Sequence, residues 1–283
     1  MANNPMVVTY EPDNSLKKGY FQIFEEIFSE IKSNRWLTYQ LFRRNFIAMY
    51  KQSFIGILWV IILPIINVAV FVALNNSGIF NIGEIDVPYP IYAICGLAFW
   101  QIFAIGLSSS AQSLTGAGEM ITRINFSKKS LVFAPIGRTI VSFLIQIILV
   151  GILFLFYQIW PSLGILLVPI VVFPIILLTL ALGFLLSIMN AIVRDTGNML
   201  SLGITFLMYL TPVLYAKPRI GILSIVTRYN PMHHFVSSGR DLIFNGRIGD
   251  TKGFLFSVLF SIILFTVALV IFHLTETRIA ERV

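Results

Sequence analysis

The sequence predicts an all-α membrane protein with six transmembrane helices, an N-terminal amphipathic interface helix and re-entrant outer helices between spans five and six. Of the 283 residues, 57% are hydrophobic and only 12% are charged, whereas soluble domains contain about 25% charged residues. Several apolar runs approach the about 20 residues that a helix needs to cross a bilayer. Lys and Arg are also spread unevenly between the connections, as the positive-inside rule requires.

Six segments are predicted to cross the membrane. Five are plainly long and apolar enough: residues 54–74, 89–114, 140–157, 165–193 and 254–274. Residues 199–215 form a shorter apolar run, which we interpret as the fifth span in chain order. If this run did not cross, the basic stretch that follows it would lie inside and the C-terminus outside.

The basic residues orient the spans. Lys and Arg precede the first span, follow the last, and lie between spans two and three and between spans four and five. This side is predicted to be cytoplasmic, with both termini on it. Residues 1–53 then form a cytoplasmic segment, residues 54–274 the membrane domain and residues 275–283 a cytoplasmic tail. The basic connection between spans five and six breaks the rule, and we interpret residues 220–244 as two short helices that dip into the outer leaflet and return.

The N-terminal segment contains an amphipathic helix that is too polar to span. Apolar residues recur there at helical spacing: Tyr20, Ile23, Phe24, Ile27, Phe28 and Ile31. Such a helix lies in the headgroup plane. Arg43, Arg44 and Lys51 follow it and bring bases to the mouth of the first span. The segment is interpreted as a membrane anchor, as a docking site for an anionic lipid headgroup, or as both.

Several function classes lack their motifs in this sequence. It contains no GxxxxGK[ST] loop, no HExxH or GxSxG motif, and Cys95 as its single cysteine, so no nucleotide, metal or catalytic site is predicted on this chain. His233 and His234, with Asp241 nearby, are assigned a structural role. The spans are nearly free of ionisable residues, which disfavours proton-coupled transport. Gln101, Gln146 and residues 108–110 are predicted to form hydrogen bonds between helices.

The net charge and the position of the first apolar run bear on two further possibilities, nucleic-acid binding and a cleavable leader. The net charge of +7 is attributed to basic cytoplasmic flanks rather than to nucleic-acid binding. The first long apolar run begins near Phe54, so no cleavable leader is predicted.

The charged segment "GEMITRINFSKKSLVFAP" separates the second and third spans. A chain without its own energy source needs a partner, and a peripheral ATPase must push on a compact cytoplasmic element. The segment suits that role as a short helix, with Ile121, Ile124 and Leu131 or Val132 holding it to the bundle and Pro135 fixing the turn into span three. Its predicted rim charges are Glu119, Arg123, Lys128 and Lys129. The alternative is an ordinary basic loop.

Four segments in a set order carry a resemblance to a known family. They are "MYKQSFIGILWVIILPI", "GEMITRINFSKKSLVFAPI", "NAIVRDTGNMLSLGITFLMYLTPVLY" and "RYNPMHHFVSSGRDLIF". The chain, from about residue 20 to residue 274, resembles the permease subunit of ABC-2-type exporters of lipid-linked polysaccharides, such as O-antigen, capsule or teichoic acid exporters. No single segment is as specific as a Walker motif. The order and spacing of the four segments together are what make the resemblance specific.

The resemblance implies an assembly and a set of roles. It implies a homodimer in the bacterial cytoplasmic membrane with two P-loop ATPase subunits, which would carry the ATP and Mg²⁺. It implies an interface helix at about residues 16–33, a coupling helix at about 118–130 and re-entrant outer gate helices at about 220–244. The residues expected to couple to the ATPase are Glu119, Arg123, Phe126, Lys128, Lys129, Arg194 and Asp195.

A polymer needs a continuous channel, which six helices are too few to enclose, so two copies are expected. Sugars stack on aromatic faces, and the aromatic residues expected to line the path are Trp59, Phe99, Trp100, Phe103, Phe206, Tyr209, Tyr215 and Tyr229. Arg43, Arg44 and Lys51 are expected to meet the lipid phosphates.

The expected function is the membrane subunit of an ATP-driven exporter that moves a lipid-linked polysaccharide outward. One alternative is an exporter of the same superfamily for a small lipid, drug or heme. A second is a membrane-embedded enzyme acting on polyprenyl lipids, and a third is a secondary transporter.

Overall fold

The structure, a computed structural model, describes residues 20–51, 54–77, 83, 85–118, 120–121, 126–217 and 220–279. Every regular element in these residues is helical. The helices are α1 (Tyr20–Ser33), α2 (Arg35–Lys51), α3 (Trp59–Asn76), α4 (Tyr89–Ala111), α5 (Ser113–Ala117), α6 (Lys129–Phe156), α7 (Val168–Ile192), α8 (Asp195–Leu210), α9 (Ile222–Tyr229), α10 (Pro231–Asn245) and α11 (Thr251–Ile279). Short 3-10 turns precede α3 and α7 at Gly56–Leu58 and Leu163–Leu167.

Four stretches of the described chain are long and apolar enough to cross a bilayer. They are Tyr89–Ala111, Lys129–Phe156, Leu163–Ile192 and Thr251–Glu276, and they correspond to predicted spans two, three, four and six. The first predicted span contains a shorter apolar stretch, Trp59–Leu74, and the fifth contains α8, which has 16 residues. The α-helical membrane fold is therefore confirmed, while the count of six spans stays a prediction.

Helix α4 lies at the centre of the bundle. It is apolar around its whole circumference and most of its side chains are buried, as expected for a helix enclosed by others. It packs against α3, α6, α7 and α10. One core cluster includes α4 residues from Ile91 to Leu107 together with residues of α10. A second cluster joins α1, α2, the start of α6 and the end of α11. We call these two regions the α10 end and the α1 end of the bundle.

The third predicted span begins earlier than expected. Pro135 was predicted to fix the turn into this span, but α6 begins at Lys129 and continues through Pro135, so that prediction is wrong. The Ser110 hydroxyl on α4 donates a hydrogen bond to the Val132 carbonyl, at 3.0 Å. Side chains of neighbouring helices commonly satisfy backbone groups near a proline inside a membrane helix. The predicted coupling segment is shortened accordingly, because Lys129 and Ser130 belong to α6.

The connection after α8 contains the two short helices that the sequence predicts. Helix α8 ends at Leu210, five residues before the predicted end of span five, and non-helical backbone follows. Helix α10 begins where the Asn230 side chain accepts a hydrogen bond from the Met232 amide, at 3.0 Å, with Pro231 in its first turn. This is an ordinary helix start. The position of α9 and α10 relative to a membrane stays a prediction.

The two N-terminal helices lie against the bundle. Ile23 and Ile27 of α1 are buried, whereas Phe24 and Phe28 on the neighbouring stripe are exposed. Helix α2 packs along α6, and a Cβ atom at Gly137 would lie 2.6 Å from the Phe42 ring. The predicted amphipathic face is thus divided between the bundle and the surface.

Candidate functional site

A buried ion-pair cluster joins three helices at the α1 end. The Lys129 ammonium forms ion pairs with Glu30 on α1, at 2.6 Å, and with Glu276 on α11. The Lys128 amide also donates to the Glu276 carboxylate, and the Ser127 hydroxyl donates to Glu30 at 3.4 Å. We call Glu30, Lys129 and Glu276 the Lys129 cluster. It ties the segment between α5 and α6 to both α1 and α11.

The Lys129 ammonium is the cation that these carboxylates hold. Ligand atoms of Glu30, His273 and Glu276 lie within 4.8 Å of one another, a spacing that would also suit a metal ion. The ammonium already bonds both carboxylates, so the arrangement is a salt-bridge network. The His273 ring lies beside it, with nitrogens 3.9 Å from Glu26 and from Glu30.

The structure changes the interpretation of two predicted rim charges. Lys129 is 1% exposed and Lys128 is 9% exposed, so the prediction that they are rim charges is wrong. The reason is that Glu30 and Glu276, remote in sequence, fold over this turn. Ile121, Leu131 and Val132 are buried in the second core cluster, so they hold the segment to the bundle as predicted. Phe126, which is expected to couple to the ATPase, is partly buried there, and that role stays a prediction. Glu119, Arg123 and Ile124 lie outside the described residues.

Arg194 and Asp195 lie exposed at the turn between α7 and α8. Arg194 lines a polar cleft of about 770 Å³ whose opposite wall contains Thr115 and Gly118. Asn190 bridges the two walls, since its amide donates to the Thr115 hydroxyl at 3.1 Å. The turn after α7 and the start of the charged segment therefore form one surface.

The three predicted phosphate-binding bases are exposed on α2. Arg44 and Lys51 are seven residues apart and share one face of the helix, while Arg43 is adjacent. The Arg44 guanidinium lies 3.7 Å from the Met120 sulfur, so this face of α2 reaches the charged segment. Within the described residues none of the three forms an ion pair.

At the α10 end, Arg240 binds backbone rather than carboxylates. Its guanidinium donates to the carbonyl oxygens of Tyr92, at 3.2 Å, of Pro212, at 3.0 Å, and of Val213. Its Cζ atom also lies 3.6 Å from the centre of the Tyr92 ring. Arg240 thereby fixes the non-helical backbone after α8 against the start of α4. The tyrosine hydroxyl groups of α4 support the same backbone, since Tyr89 donates to the Leu214 carbonyl at 3.0 Å.

A cavity of about 250 Å³ lies beside Arg240 and is lined by Lys217, His233 and Asp241 among others. Burial and, to a smaller extent, the nearby cation of Lys217 lower the pKa of His233 to about 3. Burial raises the pKa of Asp241 from its ordinary value, against a hydrogen bond from the Gly249 amide. His233 is therefore neutral at physiological pH. His234 is held in place by the Arg228 carbonyl, at 2.9 Å, and by Asp250, at 3.3 Å, a structural arrangement.

The predicted channel aromatics fall into two groups. Phe99, Trp100 and Phe103 are buried in the core, where Phe99 packs on Phe143 and Phe103 on Trp100. These three rings pack inside the single chain, and their place along a path stays a prediction. The side chains on the surface are those of Trp59, Phe206, Tyr209 and Tyr229. Tyr215 is partly buried and its hydroxyl donates to the Tyr209 carbonyl at 2.5 Å, and Trp100 lines a cavity with Trp59.

Helix α8 exposes an unusual amount of apolar surface. None of its residues is buried, and Met199, Leu202 and Phe206 are each more than 60% exposed. Helix α3 likewise exposes Leu63, Ile66 and Val70. Exposed apolar patches of this kind mark contacts with lipid or with another protein.

Hydrogen bonds between helices also occur where the sequence predicts them. The Gln146 amide donates to the Gln101 side-chain oxygen at 2.7 Å, which links α6 to α4. The Ser110 bond to Val132 is a second example. Sequence reasoning missed Glu30, His273, Glu276 and Arg240. For His273 and Glu276, the signal that could have revealed them is an ionisable residue near the end of a strongly apolar helix. Glu30 and Arg240 lie on more polar helices, where the sequence offers no such signal.

Comparison with known proteins adds the family. The family model described as "ABC-2 type transporter" matches residues 37–244. The O-antigen export system permease protein RfbA of Myxococcus xanthus is 26% identical over 258 residues, which cover 90% of this chain and 98% of the relative. Two proteins of the same name from Klebsiella pneumoniae are 28% and 30% identical, each over 82% of this chain and 89% of the relative.

Proposed function

Because the chain belongs to the ABC-2 type transporter family, we propose that it is the permease of an ATP-driven exporter of an O-antigen-type, lipid-linked polysaccharide. It is a multi-pass α-helical membrane protein. The observation that carries the cargo assignment is the coverage of the relatives. They are named as O-antigen export permeases, and they align over 82–90% of this chain and 89–98% of their own length.

The exposed faces of α3 and α8 support a second copy of the chain in this proposal. A helix without any buried residue gains little from packing in a monomer, whereas a paired chain would cover it. Two copies that meet through α3 and α8 would enclose a path lined by Trp59, Phe206 and Tyr209, which are exposed in the single chain. Stacking on aromatic faces would suit sugar rings.

The α1 end is the proposed contact with the ATPase, and this end is proposed to be cytoplasmic. The cleft between the charged segment and Arg194 offers polar side chains from two connections. The Lys129 cluster joins this region to α1 and α11, so a push on the segment would move three helices together. Arg123 lies in the same segment of the sequence and remains part of the proposed contact.

The bases of α2 are the proposed entry for the lipid phosphates, since Arg43, Arg44 and Lys51 are exposed on one helix. The pair α9 and α10 is the proposed outer gate. In this arrangement Arg240 would hold the gate against the start of α4.

The first test is the identity of the partners. The tagged chain, purified in mild detergent from its own host, is expected to bring down one P-loop ATPase per permease in an assembly with two copies of each. A matched purification of the R194E variant is expected to recover less ATPase while eluting at the same size when purified alone. Recovery of the chain alone in several mild detergents would contradict the proposal.

The second test is the cargo. Deletion of the gene in the host is expected to remove long glycan from the cell surface and to leave lipid-linked glycan inside. The R123E variant is expected to lower export without lowering the amount of protein in the membrane. Normal surface glycan in the deletion strain would redirect the search to a small lipid, drug or heme as cargo.

A further inference from the structure

A cavity of about 430 Å³ lies between α3, α4, α6 and α8. Residues of predicted spans one, two, three and five line it. The exposed bases of α2 are not part of the lining, although Met49 of α2 is. Its lining is mainly apolar, with two tryptophans, Trp59 and Trp100. The polar groups that reach it are those of Asn67, Gln101, Arg138 and Ser142.

Arg138 is the charged residue of this lining. It lies nine residues after the start of α6, inside a helix that is apolar enough to cross a bilayer. Its Nε atom is buried and has no hydrogen-bond partner, and within the described residues no carboxylate forms an ion pair with it. An arginine inside an apolar helix of bilayer length is rare and is a candidate for a functional site. The Arg138 guanidinium is therefore available to an anionic ligand in the cavity.

Arg240, in contrast to Arg138, is an arginine with a structural role in the same protein. Three backbone carbonyl groups and the Tyr92 ring satisfy its guanidinium. Arg138 faces a cavity instead of carbonyl groups. The contrast indicates that Arg138 is kept for a ligand and not for packing.

The cavity chemistry defines the class of ligand. A guanidinium group binds phosphate through two parallel hydrogen bonds, and Ser142 and Gln101 add polar side chains nearby. The remaining wall is mainly apolar and suits a hydrocarbon chain. The volume falls within the range of about 300–1,000 Å³ that is usual for ligand pockets. An amphiphile with a phosphate at one end of an apolar chain matches all of these features.

We propose that this cavity binds the phosphate of the lipid that carries the cargo, with Arg138 as its anionic-group ligand and Trp59 and Trp100 against the first part of the apolar chain. This inference rests on the proposed function, because it takes the cargo to be lipid-linked. It adds a binding site inside the membrane that is distinct from the bases of α2.

Tryptophan fluorescence provides a direct test. Trp36 and Trp160 are 69% and 84% exposed, so a W36F/W160F background leaves Trp59 and Trp100 as reporters in the purified full-length chain. Titration with a polyprenyl phosphate is expected to change the fluorescence with saturation. The R138Q variant is expected to bind at least about 10-fold more weakly, since charged hydrogen bonds contribute that much or more. R138K is expected to fall between the two.

The control is R35Q, which removes an exposed arginine at the start of α2 and is expected to leave binding unchanged. R138Q must elute at the size of the parent chain, so that a folding defect is distinguished from a lost ligand. Equal binding by R138Q and the parent would overturn the proposal. Equal binding of the neutral polyprenol would overturn the phosphate assignment, and saturable binding of inorganic phosphate alone would indicate a free-anion site instead.

Phosphatidylglycerol is the last competitor to be tested. Competition by this lipid at the same concentration as the polyprenyl phosphate would indicate a general phospholipid site and overturn the assignment to the cargo lipid. The assay is independent of the ATPase. If the chain binds polyprenyl phosphate through Arg138 but recovers no ATPase, this site is supported and the proposed exporter function is contradicted. If the chain recovers the ATPase but R138Q binds as tightly as the parent, the exporter function is supported and this site is contradicted.

Discussion

Two buried cations, Lys129 and Arg240, lie at opposite ends of the bundle and are stabilised by different partners. Helix α4 separates the two regions and has 23 residues, which corresponds to roughly 35 Å. Lys129 pairs with carboxylates from two other helices. Arg240 is surrounded by backbone carbonyl groups and a tyrosine ring.

The two sets of partners differ in how far they can move. Carbonyl groups cannot move without moving the backbone, so Arg240 fixes the chain after α8 in one geometry. The carboxylates of Glu30 and Glu276 are on side chains, and the Glu30 side chain is 28% exposed, so the Lys129 cluster can change its pairs. We therefore expect Arg240 to hold the proposed gate in the geometry seen here and the α1 end to transmit movement.

The largest effect is expected at Arg240. The R240M variant would leave three carbonyl groups without their donor, each costing about 1–3 kcal/mol when buried, so we expect a loss of at least about 3 kcal/mol and a strongly lowered melting temperature in detergent. R240K is the matched control, because one ammonium can restore only part of the bonds. A parent-like melting temperature for R240M would contradict the structural role of Arg240.

Removal of the Lys129 ammonium is expected to come next. K129M leaves two carboxylates facing each other, and breaking a buried pair costs about 3–5 kcal/mol; the partial exposure of Glu30 places the expected loss near the lower limit. E30Q is expected to cost less than E276Q, because Glu276 is more buried. Thermal melts of the three variants give the ranking, and an inverted order would show that Glu30 is the stronger partner.

A smaller effect is expected at Gly96 on α4. A Cβ atom there would overlap the Arg240 guanidinium and the Val213 carbonyl. Overpacking of this kind costs about 1–3 kcal/mol, so G96A is expected to lower the melting temperature by less than R240M. Gly151 is the control, since a Cβ atom there has nothing within 4 Å, and G151A should melt like the parent chain.

The smallest effect is expected at Asp250, which caps α11. Its carboxylate accepts a hydrogen bond from the Gly253 amide at 3.0 Å. D250A is expected to cost about 1 kcal/mol, and D250N almost nothing, because Asn is as good a cap. A loss in D250N as large as that in D250A would assign the effect to charge, through His234, instead of to the cap.

The same residue predicts a pH dependence with a definite sign. The hydrogen bond from Gly253 lowers the pKa of Asp250 below its ordinary value of 3.8. A carboxyl group with a lowered pKa stabilises the fold above its unfolded pKa and loses that contribution as the pH falls through the lowered value. The difference in melting temperature between D250A and the parent is therefore expected to stay constant from pH 5 to pH 8 and to shrink only below about pH 4.

Much of the architecture could be predicted from local patterns. The apolar runs predict α4, α7 and α11. The early start of α6 was missed because Pro135 was expected to mark a turn, whereas the helix continues through it. The end of α8 was missed because the apolar composition continues past Leu210 while the backbone turns away to meet Arg240.

The amino-acid sequence is enough to place this chain in a membrane, to locate most of its apolar helices and to show which segments between them carry charge. Composition and periodicity are local properties, and these conclusions depend on nothing else. Which charges are paired depends on the tertiary structure. Lys129 and its partners are 99 and 147 residues apart in the chain, so only the fold could distinguish it from the unpaired Arg138 or from a solvated base.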